Sequence, residues 1–365
     1  MMRIEILTEG FQTPNGRAFL FPLVVFRRAL AEHGIVCSLR RHEDKVQDAD
    51  IVVIESKYLR DRWAKGSDGI FEEVARLRRR ARTIVYADTG DSAGWLQSRI
   101  LPHVDVYWKG LLLRDRNRYL QPMYGHRLYA DHYHRRYDVA DAKPEWSLPV
   151  ANACHLGRLR TAWNSGLADY SWLGPYRMAA YERCTADFLL SAPSGFVAPS
   201  ADRPIAVHCR MGLNYPRASV AWQRRAIAER LHDRMPVSKV SRRRYIRELE
   251  QSRLCVSPFG FGEITLKDFE ALLAGALLCK PDMTHMETWP DLFRAGETMV
   301  AHDWDLNDFA ETIERVLADY PRFIELAREG QRRYRDCLTD PGPFVRQLMS
   351  LVKIKTPASA QGAHA

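Results

Sequence analysis

The sequence predicts an α/β chain of two doubly wound, Rossmann-like domains facing across a cleft, and three observations carry that reading. Short β-branched runs alternate with longer amphipathic ones in the N-terminal part, a pattern that makes parallel strands joined by packed helices. A stretch rich in Pro, Ser and Gly, SAPSGFVAPSADRP at 191–204, then interrupts the chain as a linker does. Beyond it the alternation resumes, and 365 residues exceed the roughly 100–150 of a typical single domain.

In order, Ile4–Leu7 reads as a strand, 8–17 as a polar loop and Phe19–Glu32 as a helix. Strands follow at Val36–Leu39, Ile51–Ile54, Thr83–Tyr86 and Val104–Trp108, with a helix at Ile70–Arg82. From Leu111 to Tyr181 the periodicity fades and aromatic residues and histidines crowd together, so no element can be placed there. After the linker come a strand at Ile205–Cys209, helices at Ala218–His232 and Arg242–Gln251, a strand at Arg253–Val256 and a helix at Leu266–Ala274. Strands at Ala276–Cys279 and Thr298–Ala301 and helices at Leu306–Leu317 and Pro321–Cys337 complete the series. The expected domains are therefore 1–190 and 205–340, with 341–365 a C-terminal segment ending in a small, polar, disordered tail.

Composition narrows the class. With 46% hydrophobic and 27% charged residues the chain matches an ordinary soluble globular protein. No run approaches the roughly 20 apolar residues of a membrane span, and MMRIEILTEG lacks the layout of a signal peptide, so a cytoplasmic protein is expected. Seven cysteines, never spaced C-x-x-C, speak against a disulfide framework or a zinc site; they are expected reduced and mostly buried. The net charge of +9 favours anionic partners. Much of it lies in Arg78–Arg80, Arg242–Arg244 and Arg332–Arg333, which fit solvated helix faces, and no nucleic-acid-binding motif accompanies it.

The segment 252–281, SRLCVSPFGFGEITLKDFEALLAGALLCKP, sets a strand, a glycine-bearing loop, a helix and another strand in succession. Gly260 and Gly262 allow close backbone approach, and a helix beginning near Ile264 turns its free N–H groups and positive dipole end toward an anion. Thr265 lies at that turn and Lys267 adds a full charge. Glu263 and Glu270 are seven residues apart, which on a continuous helix puts both carboxylates on nearly the same face, ready to accept hydrogen bonds from sugar hydroxyls. The same residues also fit a plain turn, a dipole-complementing Glu263 and an ion-paired Glu270.

This segment resembles the C-terminal domain of GT-B glycosyltransferases, the group 1 and exostosin-like families, through Phe259, Gly260, Gly262, Glu270, Ala271, Leu272 and Gly275 and the strand Ala276–Cys279. The resemblance covers roughly the last third of the chain, and the first half only in architecture. It implies transfer of a sugar from a nucleotide-sugar to a hydroxyl of a glycan or lipid-linked acceptor, in surface polysaccharide synthesis. It further implies Glu270 on the donor ribose, Glu263 beside the donor sugar or phosphate, and a leaving diphosphate stabilised without a metal or other cofactor. Many retaining members carry two Glu with seven residues between them; here six intervene, so a retaining mechanism is not implied.

Loops after strands supply the other candidates. Arg210 follows Ile205–Cys209, where such proteins often keep a basic residue for the diphosphate. Asp88, as catalytic base, and Asp91 lie in ADTGDSAGW at 87–95, although helix caps explain both equally well. Asn15, Gly16 and Arg17 in the 8–17 loop and Lys109 after Val104–Trp108 are acceptor or cleft candidates, and Glu55 and Lys57 are expected at the surface. His126, His132 and His134 show no coherent metal-ligand spacing. Two other readings use the same fold: a nucleotide-sugar epimerase or hydrolase, and a non-catalytic basic binding protein. Lipid-linked acceptors and basic helices also point to peripheral membrane contact, with no strong apolar anchor evident.

Overall fold

The computed structural model describes residues 1–231 and 235–353, so the expected tail and the end of the Ala218–His232 helix lie outside the described residues. The strands are β1 (Met2–Leu7), β2 (Ile35–Arg40), β3 (Ala49–Glu55), β4 (Ala81–Asp88), β5 (Val106–Lys109), β6 (Leu111–Leu113), β7 (Leu159–Thr161), β8 (Ile205–His208), β9 (Ser252–Val256), β10 (Leu277–Pro281), β11 (Met286–Thr288) and β12 (Val300–His302). The α-helices are α1 (Pro14–Val25), α2 (Arg27–Glu32), α3 (Asp68–Leu77), α4 (Leu128–Tyr137), α5 (Gly174–Cys184) and α6 (Ala218–Leu231). Those that follow are α7 (Arg242–Glu250), α8 (Leu266–Ala274), α9 (Phe309–Ala318), α10 (Tyr320–Thr339) and α11 (Pro341–Val352).

The expected pair of doubly wound units is present. Six parallel strands in the order β2-β1-β3-β4-β5-β7 make the first sheet. Four parallel strands in the order β12-β10-β9-β8 make the second. Ile51–Ile54 of β3 are buried on every residue, as a parallel strand covered on both faces requires. Each such side chain contributes about 1.5–3 kcal/mol on burial.

Three departures from expectation bear on the site and the joint. Residues 14–17 are not loop but the first turn of α1: the Thr13 hydroxyl accepts from the Gly16 N–H, and Pro14 occupies the first turn, where its missing N–H costs nothing. The helix expected to Arg82 stops at Leu77, because β4 begins at Ala81. The 191–204 stretch does not swing free: the Val197 N–H donates to the Leu273 carbonyl, and the buried Arg203 guanidinium donates to the Ala198, Ser252 and Ala274 carbonyls.

The two units are bolted together. β6 pairs antiparallel with β11, joining the end of the first sheet's β5 to the second unit. α11 returns to the first unit, where Phe344 packs on Trp163 and Phe26 and the Gln347 amide donates to the Thr161 carbonyl. Aromatic contacts cross the joint at Tyr129–Phe259 and Tyr170–Phe269. Cys209, Cys255 and Cys279 are buried, Cys37 and Cys337 half-buried, and Cys154 and Cys184 exposed, all as free thiols. No helix of the described residues is long and apolar enough to cross a membrane.

Candidate functional site

The carboxyl ends of β4 and β9 lead into loops that meet at the joint, and the sequence candidates distribute over two places there and a third alongside α8. The first is a small cavity of about 50 Å³ bounded by α1, the ends of β4, β5 and β7, and Ile264. Asn15, Asp88, Asp91, Lys109 and Asn164 line it. Asp88 and Lys109 form an ion pair of 2.8 Å, both side chains fully buried. The same Asp88 oxygen accepts from the Tyr107 hydroxyl at 2.6 Å, and its other oxygen accepts from the Gly90 N–H at 2.8 Å. Asp88 is thus held by three donors, the Lys109 ammonium, the Tyr107 hydroxyl and the Gly90 N–H, with its side chain fully buried. Asp91 is exposed and accepts from the Asn15 amide at 2.7 Å. The Arg17 guanidinium turns back on its own turn, donating to the Phe11 and Gln12 carbonyls.

The second place is the turn before α8, and it is closed. α8 starts at Leu266 rather than Ile264, with Thr265 as cap and Asp268 reaching back to the Thr265 N–H at 2.8 Å. Glu263 therefore precedes the helix, and the shared-face expectation for Glu263 and Glu270 fails, since the period of a helix does not apply across a turn. Glu263 is fully buried; its carboxylate accepts from the Ser92 hydroxyl at 3.1 Å and the Ala93 N–H at 2.9 Å, bridging the two units. A side chain at Gly262 would run into the Asp91 carbonyl oxygen, so this glycine serves the approach of the two loops. The Gly260 carbonyl accepts from the Tyr129 hydroxyl, and its N–H donates to the Gly262 carbonyl at 3.0 Å. Of the amides of this turn, Gly260 donates to the Gly262 carbonyl and Thr265 to the Asp268 carboxylate, so both are engaged within the protein.

The α8 cap is fixed by charge. Asp268 accepts from the Ser257 hydroxyl at 2.5 Å and pairs with Lys280 at 3.0 Å, both side chains fully buried. Burial holds the Lys280 ammonium below its usual pKa against the pull of Asp268.

The third place is a groove on the other side of α8, and here Glu270 borders open space. α7 lies across β8, β9 and α8 and brings Arg242 to Glu270 at 2.8 Å. The Arg242 guanidinium also stacks over the half-exposed Trp172 ring at 5.8 Å, and burial, with Glu270 adding to the push, sets the Tyr245 phenol well above its usual pKa. The groove holds about 380 Å³ and is lined by Tyr170, Trp172, Arg177, Ile246, Glu250 and Glu270. That volume suits a small molecule, whereas the first cavity does not. On the strand side of α7, Arg210 makes a two-point pair with Glu248, at 2.7 and 3.0 Å, which holds that carboxyl down to about 2. Lys267 is half-buried and donates to the Val256 carbonyl at 2.9 Å.

Arg242, Tyr245 and Trp172 were not among the sequence candidates. Arg242 was grouped with a solvated arginine run, and Trp172 falls in the segment without periodicity. Glu55, expected at the surface, is fully buried at the end of β3, where desolvation raises its carboxyl pKa against hydrogen bonds from the Thr89 hydroxyl and the Lys57 N–H. The histidines expected not to bind metal have other partners. His132 pairs with Asp305 at 2.6 Å, His134 stacks on Tyr124, and His126 lies 3.5 Å from Glu145. Among the described residues no group of His, Cys, Asp and Glu side chains could hold a metal ion.

No family model matches the chain, and no curated protein matches it. Among solved structures the chain is similar to an alpha-glucosyltransferase in complex with UDP, at 12% identity and TM-score 0.43, over 96% of this chain and 100% of that one. It is similar to a glycosyltransferase from Rickettsia africae ESF-5, at 8% identity and TM-score 0.39, over 96% and 97% of the two chains. A third similar structure is an S. aureus MnaA co-structure with UDP, at 9% identity and TM-score 0.34, over 92% of each chain.

Two buried histidines make stability depend on pH. Burial lowers the pKa of His302 from 6.5 to about 4 and that of His208 from 6.5 to about 3, and the Nε2 of each lacks a hydrogen-bond partner. Each stays neutral in the folded chain but takes up a proton on unfolding below pH 6.5, so the unfolded state binds more protons in that window. Stability is therefore full above about pH 6.5 and falls as pH is lowered toward about 4. Urea midpoints at neutral pH and at about pH 5 check this. His302→Phe should flatten the dependence.

Proposed function

We propose that the chain transfers a sugar from a nucleotide-sugar to a hydroxyl acceptor, and that the groove at Glu270 holds the nucleoside part of the donor. What carries the reading is that Glu270 and Trp172 border one groove alongside α8, with Arg242 paired to Glu270 and stacked on Trp172 and with Lys267 on the preceding turn of α8. The first turn of α8, with Lys267, lies beyond the carboxyl end of β9, the end of a doubly wound sheet at which such folds bind ligands. A carboxylate accepts hydrogen bonds from two ribose hydroxyls, the Trp172 face offers stacking to a base, and Lys267, Arg210 and Arg242 supply positive charge for a diphosphate. No metal is needed for that charge.

In this reading the turn Gly260–Thr265 reaches the donor only after the contact of Glu263 with Ser92 and Ala93 has parted, because the joint cavity is too small for a sugar. Asp91, exposed at the joint, is assigned as the base that removes the acceptor proton, in place of the buried, ion-paired Asp88. Asp91→Asn then lowers turnover about 10²–10⁴-fold while leaving the unfolding midpoint in place. Steady-state kinetics and urea unfolding on the same variant check this; unchanged turnover removes the assignment.

A thermal-shift panel of nucleoside diphosphates and nucleotide-sugars tests the donor site, since a ligand that binds the folded state raises its melting temperature. At least one nucleotide is expected to do so. A panel with no shift, together with no sugar transfer, contradicts the reading. The acceptor class expected is a glycan or lipid-linked saccharide of surface polysaccharide synthesis.

A further inference from the structure

α5 carries exposed apolar side chains on its outward side and at both of its ends. Gly174, Met178 and Tyr181 are its buried residues, so the opposite side of the helix carries Tyr176, Ala180 and Arg183, continued by Leu173 at its start. Tyr176 is 60% exposed and Leu173 54%; Trp172 precedes the helix at 42% and Phe188 follows it at 80%. Four large apolar side chains exposed on one element and its two ends exceed the scattered singles of an ordinary surface.

The charges around this face are one-sided. Glu182, the acid of the helix, turns inward and accepts from the Phe11 N–H at 2.6 Å and from Arg41 at 2.7 Å. Asp187, beside Phe188, is held by Arg27 at 2.5 Å. Arg28, whose field acts on Asp187, Arg183 on the last turn of α5, and Arg243, next to the Arg242 that stacks on Trp172, are exposed and make no ion pair among the described residues. Glu250 is the acid nearby, on the inner wall of the Glu270 groove.

We propose that this face docks the protein onto a bilayer containing anionic lipid. Tyr176 is suited to the headgroup level, Leu173 and Phe188 to the acyl boundary, and the unpaired arginines to anionic headgroups. A second copy of the chain is the poorer occupant, because a two-fold contact would set the same unpaired arginines against one another. Docking would bring the Glu270 groove, which shares Trp172 and Leu173 with this face, close to the lipid surface. The docking itself does not depend on what that groove binds.

The test is cosedimentation of the full chain with vesicles of phosphatidylcholine alone and of phosphatidylcholine mixed with phosphatidylglycerol. Binding is expected to the mixed vesicles and not to phosphatidylcholine alone, and it should weaken as salt is raised. The triple variant Leu173→Ser, Tyr176→Ser, Phe188→Ser should bind the mixed vesicles at least about tenfold less while unfolding at the same urea concentration, because all three side chains are exposed. No binding to mixed vesicles, or equal binding by the triple variant, overturns the proposal. So does a wild-type dimer that the variant dissociates without any vesicle binding, which would assign the face to a second copy.

Discussion

Replacing Lys280 by methionine is expected to lower stability by about 3–5 kcal/mol, because it leaves the Asp268 carboxylate buried without its counter-charge. The remaining partners of Asp268, the Ser257 hydroxyl, the Thr265 N–H and the Thr265 hydroxyl at 3.3 Å, are neutral donors and do not replace an ammonium. Removing both charges in Lys280→Met with Asp268→Leu should recover most of the loss, short of the about 1 kcal/mol of the forfeited helix cap. Urea unfolding of the three proteins decides it. A single-variant loss below about 1 kcal/mol, the scale of a surface pair, would mean that water reaches this pair.

The second large effect concerns binding. Glu270→Ala should weaken nucleoside diphosphate binding roughly 10- to 150-fold, the equivalent of about 1.5–3 kcal/mol for a hydrogen bond to a charged group. Stability should change little, because the abandoned Arg242 guanidinium is 27% exposed and can turn to water. Glu270→Gln keeps an acceptor oxygen and should fall between. Equal affinity in all three proteins would move the nucleoside elsewhere.

The sheets were legible because parallel strands covered on both faces show as unbroken apolar runs. The cores of β3 and β4 lie within the residues read as strands, and the edge strand β2, with only Ile35 buried, was read as well. The loop at 8–17 was misread although its signal was present: Thr13-Pro14 is a cap followed by the proline that tolerates a first helical turn. The ribbon of β6 and β11 had no such signal. Leu111–Leu113 is too short to show a period, and its partner lies far away in the second unit.

At the site, sequence spacing identified Glu270 but not its surroundings. Helical arithmetic put Glu263 beside it, whereas Thr265 starts the helix later and sends Glu263 across the joint to Ser92 and Ala93. Asp88 was chosen for its place at a strand end, and that place brought Lys109 into contact, since the two residues are register partners on β4 and β5. Arg242 and Trp172 come from segments far apart in sequence; the packing of α7 over α8 brings Arg242 to the Glu270 carboxylate, and Arg242 in turn stacks on Trp172.

The central claim is that the Glu270 groove holds a sugar nucleotide for transfer. Its most direct measurement is release of nucleoside diphosphate from a panel of nucleotide-sugars by the purified full chain, wild type beside Glu270→Ala, with the sugar product followed in parallel. The account predicts release from at least one donor, strongly reduced in the variant, with the sugar appearing on an acceptor hydroxyl or on water. Release that proceeds unchanged in Glu270→Ala, or no release from any donor, would contradict it.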